Sequence, residues 1–123
     1  MKKSKIAGIA FNVPDNIVAN HDIEEMMNTT DEWIQTRSGI KERRWVLPGT
    51  PNSDLALPAC VQAIENAGIS PNDIDAIIVG TVSSDYNFPG MGPIIQRKLG
   101  IKKNIPAYDI SACLLYTSDA ADE

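Results

Sequence analysis

Residues 77–110 read IIVGTVSSDYNFPGMGPIIQRKLGIKKNIPAYDI, and this stretch decides the fold class. Ile77–Val82 is a continuous run rich in β-branched residues, which is typical of a strand buried on both faces. Pro93–Leu99 predicts a helix that has proline at its start and ends at Gly100. Ile105–Ile110 predicts a further strand. A strand, a helical crossover and a second strand of these lengths predict an α/β fold with a mostly parallel sheet and flanking helices.

Two longer elements precede this stretch. Ile6–Phe11 is a short apolar run that predicts a buried first strand. A helix is predicted from a cap at Asn52 or Ser53 to Ala67, because Gly68 can take the left-handed conformation that ends many helices. Strands and helices therefore alternate along the chain, as they do in α/β domains.

Shorter elements are predicted between these two. Asn20 or Asp22 can cap a short helix over Ile23–Asn28. Arg43–Pro48 favours a short strand or hairpin arm that closes at a proline-glycine pair. The chain contains no repeats, and neither a GxGxxG nor a P-loop pattern occurs in it.

Residues 30–44 read TDEWIQTRSGIKERR and predict a helix with defined ends. Thr29 and Glu32 have the spacing of a capping box, which places the helix start just before Asp31. Gly39 supplies the stop, since glycine readily takes the left-handed conformation.

Trp33 and Arg37 lie four residues apart in that helix, so their side chains are neighbours on one face. An indole can stack on a nucleobase, and a guanidinium can grip phosphate oxygens. Together they could hold a nucleotide-like group such as the one on coenzyme A. A core anchor beside a solvated cation would give the same spacing, so the pattern alone leaves both interpretations open.

The composition excludes several classes of protein. The chain has 123 residues and a formal net charge of −5, and three acidic residues fall within its last five positions. The remainder is nearly neutral, whereas a nucleic-acid-binding surface requires a basic stripe. No stretch approaches the ~20 apolar residues that span a bilayer, and no signal-peptide cleavage site follows Lys2 and Lys3. We therefore expect a cytoplasmic protein without nucleic-acid or membrane partners.

The cysteine and histidine residues do not form a catalytic pattern. Two cysteines do not make a disulfide framework. Cys60 lies within a helical pattern, where a small buried hydrophobic residue is the expected role. His21, the only histidine of the sequence, lies in a capping region and is expected at the surface without a catalytic role.

The run Thr30–Arg44 resembles the N-terminal signature of the β-ketoacyl-acyl carrier protein synthase III family, within the thiolase-like superfamily. The resemblance rests on the pattern TDEW-x-x-x-R-x-GI-x-ER, which is specific to this family and its close relatives. It runs through about Ala112 and covers about the first third of a family member, so it implies an incomplete thiolase-like fold. Four further segments resemble the superfamily in the same order: Lys5–Pro14, Ala67–Val82, Asn87–Gly100 and Pro106–Ser111.

The resemblance implies an enzyme that condenses an acyl-coenzyme A primer with malonyl-acyl carrier protein to start fatty acid synthesis. Trp33 matches the residue that stacks on the coenzyme A adenine, and Arg37 matches the arginine that faces its phosphate end. Phe88 matches an aromatic residue that reaches across a homodimer interface into the partner's acyl pocket, although ordinary packing would also explain it. Coenzyme A enters as part of the substrate, and no separate cofactor or metal is implied.

The catalytic residues of the family are not matched in this sequence. A nucleophilic cysteine is expected just after Ala112, but Cys113 is one residue early and is followed by two leucines instead of small residues. The family's histidine and asparagine lie in its second half. We therefore assign no catalytic residue. Gly90–Pro93 departs from many members near the acyl pocket, which leaves the acyl primer open.

Two further groups of charged residues are assigned structural roles. Glu42 and Arg43 are expected to form an ion pair. Arg97-Lys98 and Lys102-Lys103 could contact acyl carrier protein, but a solvated basic face is the preferred interpretation.

The last eleven residues, CLLYTSDAADE, do not resemble the family. They resemble the translation of a transposase adapter used to prepare sequencing libraries. We therefore interpret residues 1–112 as the N-terminal portion of a condensing-enzyme domain and residues 113–123 as a non-native tail, the alternative being a divergent genuine terminus. An incomplete sheet would leave apolar surface exposed, so the isolated chain is expected to be inactive and poorly soluble or partly unfolded.

Two other functions remain open at this point. One is a related thiolase-fold acyltransferase of secondary metabolism, which pocket-lining residues would distinguish. The other is a non-catalytic remnant that binds acyl-coenzyme A or pairs with a full-length synthase, which would require a native tail.

Overall fold

A computed structural model describes residues 3–111, which form two compact units. Residues 13–50 make one unit, and residues 3–12 together with 51–111 make the other. The elements follow one another in the order β1 (Ile17–Ala19), α1 (Asn20–Glu24), α2 (Asp31–Ser38), β2 (Glu42–Arg44), α3 (Asn52–Ala67), a 3₁₀ turn (Pro71–Asp73), β3 (Ile77–Gly80), α4 (Met91–Lys98) and β4 (Ala107–Ile110).

In the unit of residues 13–50, β1 and β2 pair in antiparallel register, with Val18 opposite Arg43. The strand predicted over Arg43–Pro48 therefore starts one residue earlier and ends at Arg44, because β1 offers a partner of only three residues. β1 is not predicted from the sequence, because its three residues are too few to show an alternating pattern.

The two helices of this unit differ in how well their ends were predicted. α2 starts at Asp31 and ends at Gly39, whose φ of 71° is left-handed, as predicted. Its cap was predicted wrongly, because the hydroxyl of Thr30, not Thr29, accepts from the backbone N–H of Trp33 at 3.1 Å. α1 spans Asn20–Glu24 and not 23–28, since the Asp22 carboxylate accepts from the N–H of Ala19 and fixes an earlier start.

In the other unit, β3 and β4 pair in parallel, with Ile77 opposite Ala107 and Gly80 opposite Ile110. Both strands are shorter than their apolar runs: β3 ends before Val82, and β4 begins after Ile105. The parallel pairing with an intervening helix is the α/β arrangement that the sequence predicts.

One face of this two-stranded sheet is covered by α4, in which Met91 and Ile95 are buried. The other face is open within residues 3–111, and Ile78 on it is 57% exposed. The prediction that this strand is buried on both faces is therefore wrong for the described chain, because the described elements supply only one covering layer.

The N-terminal ends of α3 and α4 are fixed by residues far away in sequence. α3 has no side-chain cap of its own, and the predicted caps at Asn52 or Ser53 are wrong. The Asp85 carboxylate instead accepts from the N–H of Ser53 at 3.2 Å. α4 starts at Met91, two residues before the predicted proline, where Asp109 accepts from its N–H at 2.6 Å.

The predicted strand Ile6–Phe11 is not a strand in the described chain. No neighbouring backbone forms a ladder with it there. It lies along α3 instead, where the side chain of Asn66 donates to the carbonyl of Ile9 at 2.9 Å. Gly8 faces the backbone of Ala63 so closely that a Cβ would collide with it.

No helix within residues 3–111 combines the length and the apolar character that crossing a lipid bilayer demands.

The contact of α4 with β4 predicts an unusual response to alanine at Gly92. A Cβ there would lie 2.6 Å from the backbone nitrogen of Tyr108. Alanine normally stabilises a helix interior by about 1 kcal/mol relative to glycine, but here overpacking should destabilise the chain by about 1–3 kcal/mol. Urea titration followed by circular dichroism measures the difference. Gly80→Ala is the control, because no atom lies within 4 Å of its Cβ position. A Gly92→Ala chain as stable as the control would contradict the packing described above.

Candidate functional site

The helix α2 presents Trp33 and Arg37 to solvent on one face, one turn apart. The Trp33 side chain is 59% exposed. Arg37 makes no hydrogen bond or ion pair with any residue between 3 and 111. The structure therefore places Trp33 and Arg37 together, as predicted, and neither side chain is buried in the core of its own unit.

A cleft of about 410 Å³ lies beside Trp33. It is formed by the segment that connects α1 to α2, and its walls combine one aromatic ring with hydroxyl, amide and thioether groups. Such a surface can hold a flat ring and offer hydrogen bonds to its edge. The lining residues are Met27, Asn28, Thr29, Thr30 and Trp33.

Hydrogen bonds shape the electrostatics at the start of α2. The Asn20 amide and then the Gln35 amide donate to the Asp31 carboxylate and hold its pKa below the usual value. The backbone N–H of Asp31 donates to Glu24, which lowers the pKa of that carboxyl, and His21 adds to the effect. Glu24 in turn raises the pKa of the exposed His21 imidazole. The start of α2 therefore carries ionised carboxylates at neutral pH.

Phe88 belongs to the other unit, in the segment between β3 and α4. Its side chain is 91% exposed, so the described residues do not pack against it. The structure thus brings Trp33 and Arg37 together and places Phe88 in a separate unit.

No protein-family model matches the chain. It is 46% identical over 112 residues to the β-ketoacyl-[acyl-carrier-protein] synthase III of Fusobacterium nucleatum, and this alignment takes in 91% of the chain and 34% of that protein. The crystal structure of 3-oxoacyl-[acyl-carrier-protein] synthase III from Aquifex aeolicus matches with a TM-score of 0.83 and 38% identity, over 96% of this chain and 39% of that one.

The chain is homologous to the N-terminal portion of β-ketoacyl-acyl carrier protein synthase III. It spans 34% of the length of the Fusobacterium relative. The predicted α/β fold, the N-terminal portion of a thiolase-like fold, is confirmed by the structural match. A further solved structure, the priming β-ketosynthase of the R1128 polyketide pathway, matches with a TM-score of 0.82 and 30% identity, over 88% of this chain and 32% of that one.

The nucleophile of the synthase III family cannot be placed, because Cys113 and the rest of the tail lie outside the described residues. Cys60 is half-buried in α3, and burial raises the pKa of its thiol, as expected for a structural cysteine. Within residues 3–111, no group of three or more histidine, cysteine, aspartate or glutamate side chains could hold a metal ion.

The charged groups outside the synthase III signature are partly paired. Lys98 contacts Asp54, and Lys103 contacts Asp75 at 2.9 Å, so two of the four cations near α4 are already neutralised. For Arg97 and Lys102, the solvated basic face and the contact with acyl carrier protein both stay predictions.

The ion pair predicted between Glu42 and Arg43 is wrong. Arg43 donates to the Asn20 side chain and to the carbonyl of Val18, and Glu42 lies 3.9 Å from Arg44 instead. Adjacent residues of a strand point to opposite faces, so they cannot readily pair.

Sequence reasoning missed two residues that hold helices in place through distant contacts. Asn20 was considered only as a helix cap, and Asp109 only as part of a strand. Both bind backbone or side-chain groups at least eleven residues away. The only local signal was a polar residue within an apolar context, which does not identify its partner.

The lowered pKa of Asp31 predicts a pH-dependent contribution to stability. A carboxylate with a lower pKa in the folded than in the unfolded chain stabilises the fold above its unfolded pKa, and this contribution is lost as pH falls through the folded value. We expect Asp31→Asn to melt below the wild-type chain near neutral pH, and the two midpoints to converge in acid. Thermal melts from neutral pH to about pH 2 measure this. Asp15→Asn controls for the loss of one charge, and a pH-independent difference for Asp31→Asn would contradict the assignment.

Proposed function

We propose that the chain is the N-terminal part of an enzyme that condenses an acyl-coenzyme A primer with malonyl-acyl carrier protein. In this proposal Trp33 stacks on the adenine of coenzyme A and Arg37 faces its phosphates. The observation that carries it is the exposed pair on α2 beside the cleft, in a chain homologous to synthase III.

The exposure of the pair supports a ligand-binding role. An indole that is 59% exposed on a helix without buried residues contributes little to folding. Stacking of a nucleobase on an aromatic side chain is worth about 1–3 kcal/mol, and a guanidinium matches phosphate geometry with two N–H groups. One coenzyme A molecule carries both the ring and the phosphates, so it would satisfy both side chains.

The chemistry proposed for the parent enzyme has two stages. A cysteine thiolate attacks the acyl thioester, and the coenzyme A thiol leaves with a proton. Malonyl-acyl carrier protein then loses carbon dioxide, and the resulting carbanion attacks the enzyme-bound thioester and regenerates the thiolate. In this proposal the reacting thiolate belongs to a cysteine beyond Ala112. The described residues contribute substrate binding, and the chain alone is proposed to be inactive.

The 91% exposure of Phe88 supports a role between subunits. Burying a large aromatic side chain on association is favourable, because apolar surface is removed from water. We include in the proposal that Phe88 reaches the acyl pocket of the partner in a homodimer, and that the parent enzyme acts in the cytoplasm.

A second candidate function is priming of polyketide synthesis. The similarity to the R1128 priming β-ketosynthase, at a TM-score of 0.82, supports it. The two functions share the fold and differ in the acyl group and the acceptor. Gly90–Pro93, near the expected acyl pocket, is one of the segments that would distinguish them.

The first test is to sequence the source DNA across the codons after Ala112. We expect the reading frame to continue into a cysteine at position 114 and small residues after it. The recovered protein should then release carbon dioxide from malonyl-acyl carrier protein in the presence of acyl-coenzyme A. DNA that encodes CLLYTSDAADE and stops would instead support a non-catalytic acyl-coenzyme A-binding protein.

The stacking role predicts a selective effect of Trp33→Ala in the full-length enzyme. We expect KM for acyl-coenzyme A to rise about tenfold while kcat changes less, because binding shared by ground and transition states is lost. Steady-state kinetics at varied acyl-coenzyme A measure both constants. Trp45→Ala is the matched control, since Trp45 lies in the same unit and is 42% exposed. Equal effects of the two substitutions would contradict the stacking role.

A further inference from the structure

Apolar packing does little to fix the position of α2. It has eight residues, fewer than the roughly 12–15 that an isolated helix needs in water. None of its residues is buried, so apolar packing contributes little to holding it. Contacts at its two ends therefore decide where it lies and where Trp33 and Arg37 point.

The side chain of Asn20 contacts both ends of α2. Its amide nitrogen donates to Oδ1 of Asp31 at 2.7 Å and to the carbonyl of Ile40 at 2.8 Å. Asp31 is the first residue of the helix, and Ile40 directly follows Gly39, at which the helix ends. Both hydrogens of the amide are thus used, one at each end of the same helix.

Asn20 is itself fixed against the β1–β2 pair. It is 2% exposed, its backbone N–H donates to the carbonyl of Lys41 at 3.2 Å, and its side-chain oxygen accepts from Arg43. Arg43 also donates to the carbonyl of Val18 in β1. Since two acceptors surround the amide nitrogen and a guanidinium faces the oxygen, only one orientation of the amide satisfies every partner.

We propose that Asn20 is the positioning residue of the coenzyme A-binding helix: its buried amide holds both ends of α2 and so sets the placement of Trp33 and Arg37. The inference rests on the function proposed above. Asn20 does not touch the ligand, so its loss should misplace the binding pair and weaken substrate binding. The reacting groups lie elsewhere and should be affected less.

The test compares two substitutions at Asn20 in the full-length enzyme. Asn20→Ala should raise KM for acyl-coenzyme A about tenfold, with kcat within about twofold of the wild type. Asn20→Asp keeps the shape but replaces the donor NH2 with a carboxylate oxygen that faces two acceptors, Asp31 and the Ile40 carbonyl, so it should raise KM at least as much. Steady-state kinetics give both constants, and thermal melts report stability.

Asn66→Ala is the matched control. The Asn66 amide also donates to a backbone carbonyl, that of Ile9, but in the other unit. This variant also loses an amide-to-carbonyl hydrogen bond, at an exposed site, so its melting temperature should fall slightly while KM for acyl-coenzyme A stays unchanged. A purely structural role of Asn20 would give the same result as Asn66→Ala, and that result would overturn the proposal.

Trp33→Ala, measured alongside, separates the two proposals. If it raises KM while the Asn20 variants do not, the positioning role fails and the proposed function stands. If it leaves KM unchanged, the proposed binding pair fails and the positioning role with it. Should the Asn20 variants not fold, Arg43→Lys removes the two-pronged contact with Asn20 and Val18. A raised KM in Arg43→Lys supports the proposal, and an unchanged KM overturns it.

Discussion

A helix start leaves backbone N–H groups without partners, and α3 and α4 satisfy some of them with carboxylates from distant residues. Asp85 accepts from Ser53 at the start of α3, and Asp109 accepts from Met91 and Gly92 at the start of α4. A carboxylate at this position also meets the positive end of the helix dipole. Each bond therefore completes a helix and joins it to another part of the fold, so secondary and tertiary structure depend on the same contacts.

These contacts at the helix starts leave one face of the β3–β4 sheet uncovered. Ile78, Tyr108 and Ile110 are exposed on that face, and Ile6 and Phe11 are exposed in the N-terminal segment. Polar contacts fix the directions of the elements, but apolar burial supplies most of the driving force for folding. These surfaces stay uncovered within residues 3–111, in a chain that spans 34% of the length of its Fusobacterium relative.

Local patterns predicted the parts of the fold that depend on neighbouring residues. Gly39 and Gly68 end their helices in the left-handed conformation, and spacing alone placed Trp33 and Arg37 on one face. Hydrogen bonds between residues that are distant in sequence could not be predicted. The cap of α4 and the role of Asn20 both require knowing which residue comes close in three dimensions, and no periodicity contains that information.

Residues 13–50 interrupt the other unit, whose N-terminal segment stops at Asn12 and whose remainder begins at Pro51. The contacts within residues 13–50 join residues that are closer in sequence, whereas the hydrogen bond from Asn66 to the carbonyl of Ile9 spans 57 positions. Contacts between distant residues close larger loops and form more slowly. During synthesis residues 13–50 can make their contacts first, while the carbonyl of Ile9 waits for Asn66, near the end of α3, to leave the ribosome. The two parts of this unit are therefore joined late, because the first part is made before residues 13–50 and meets its hydrogen-bond donor only after them.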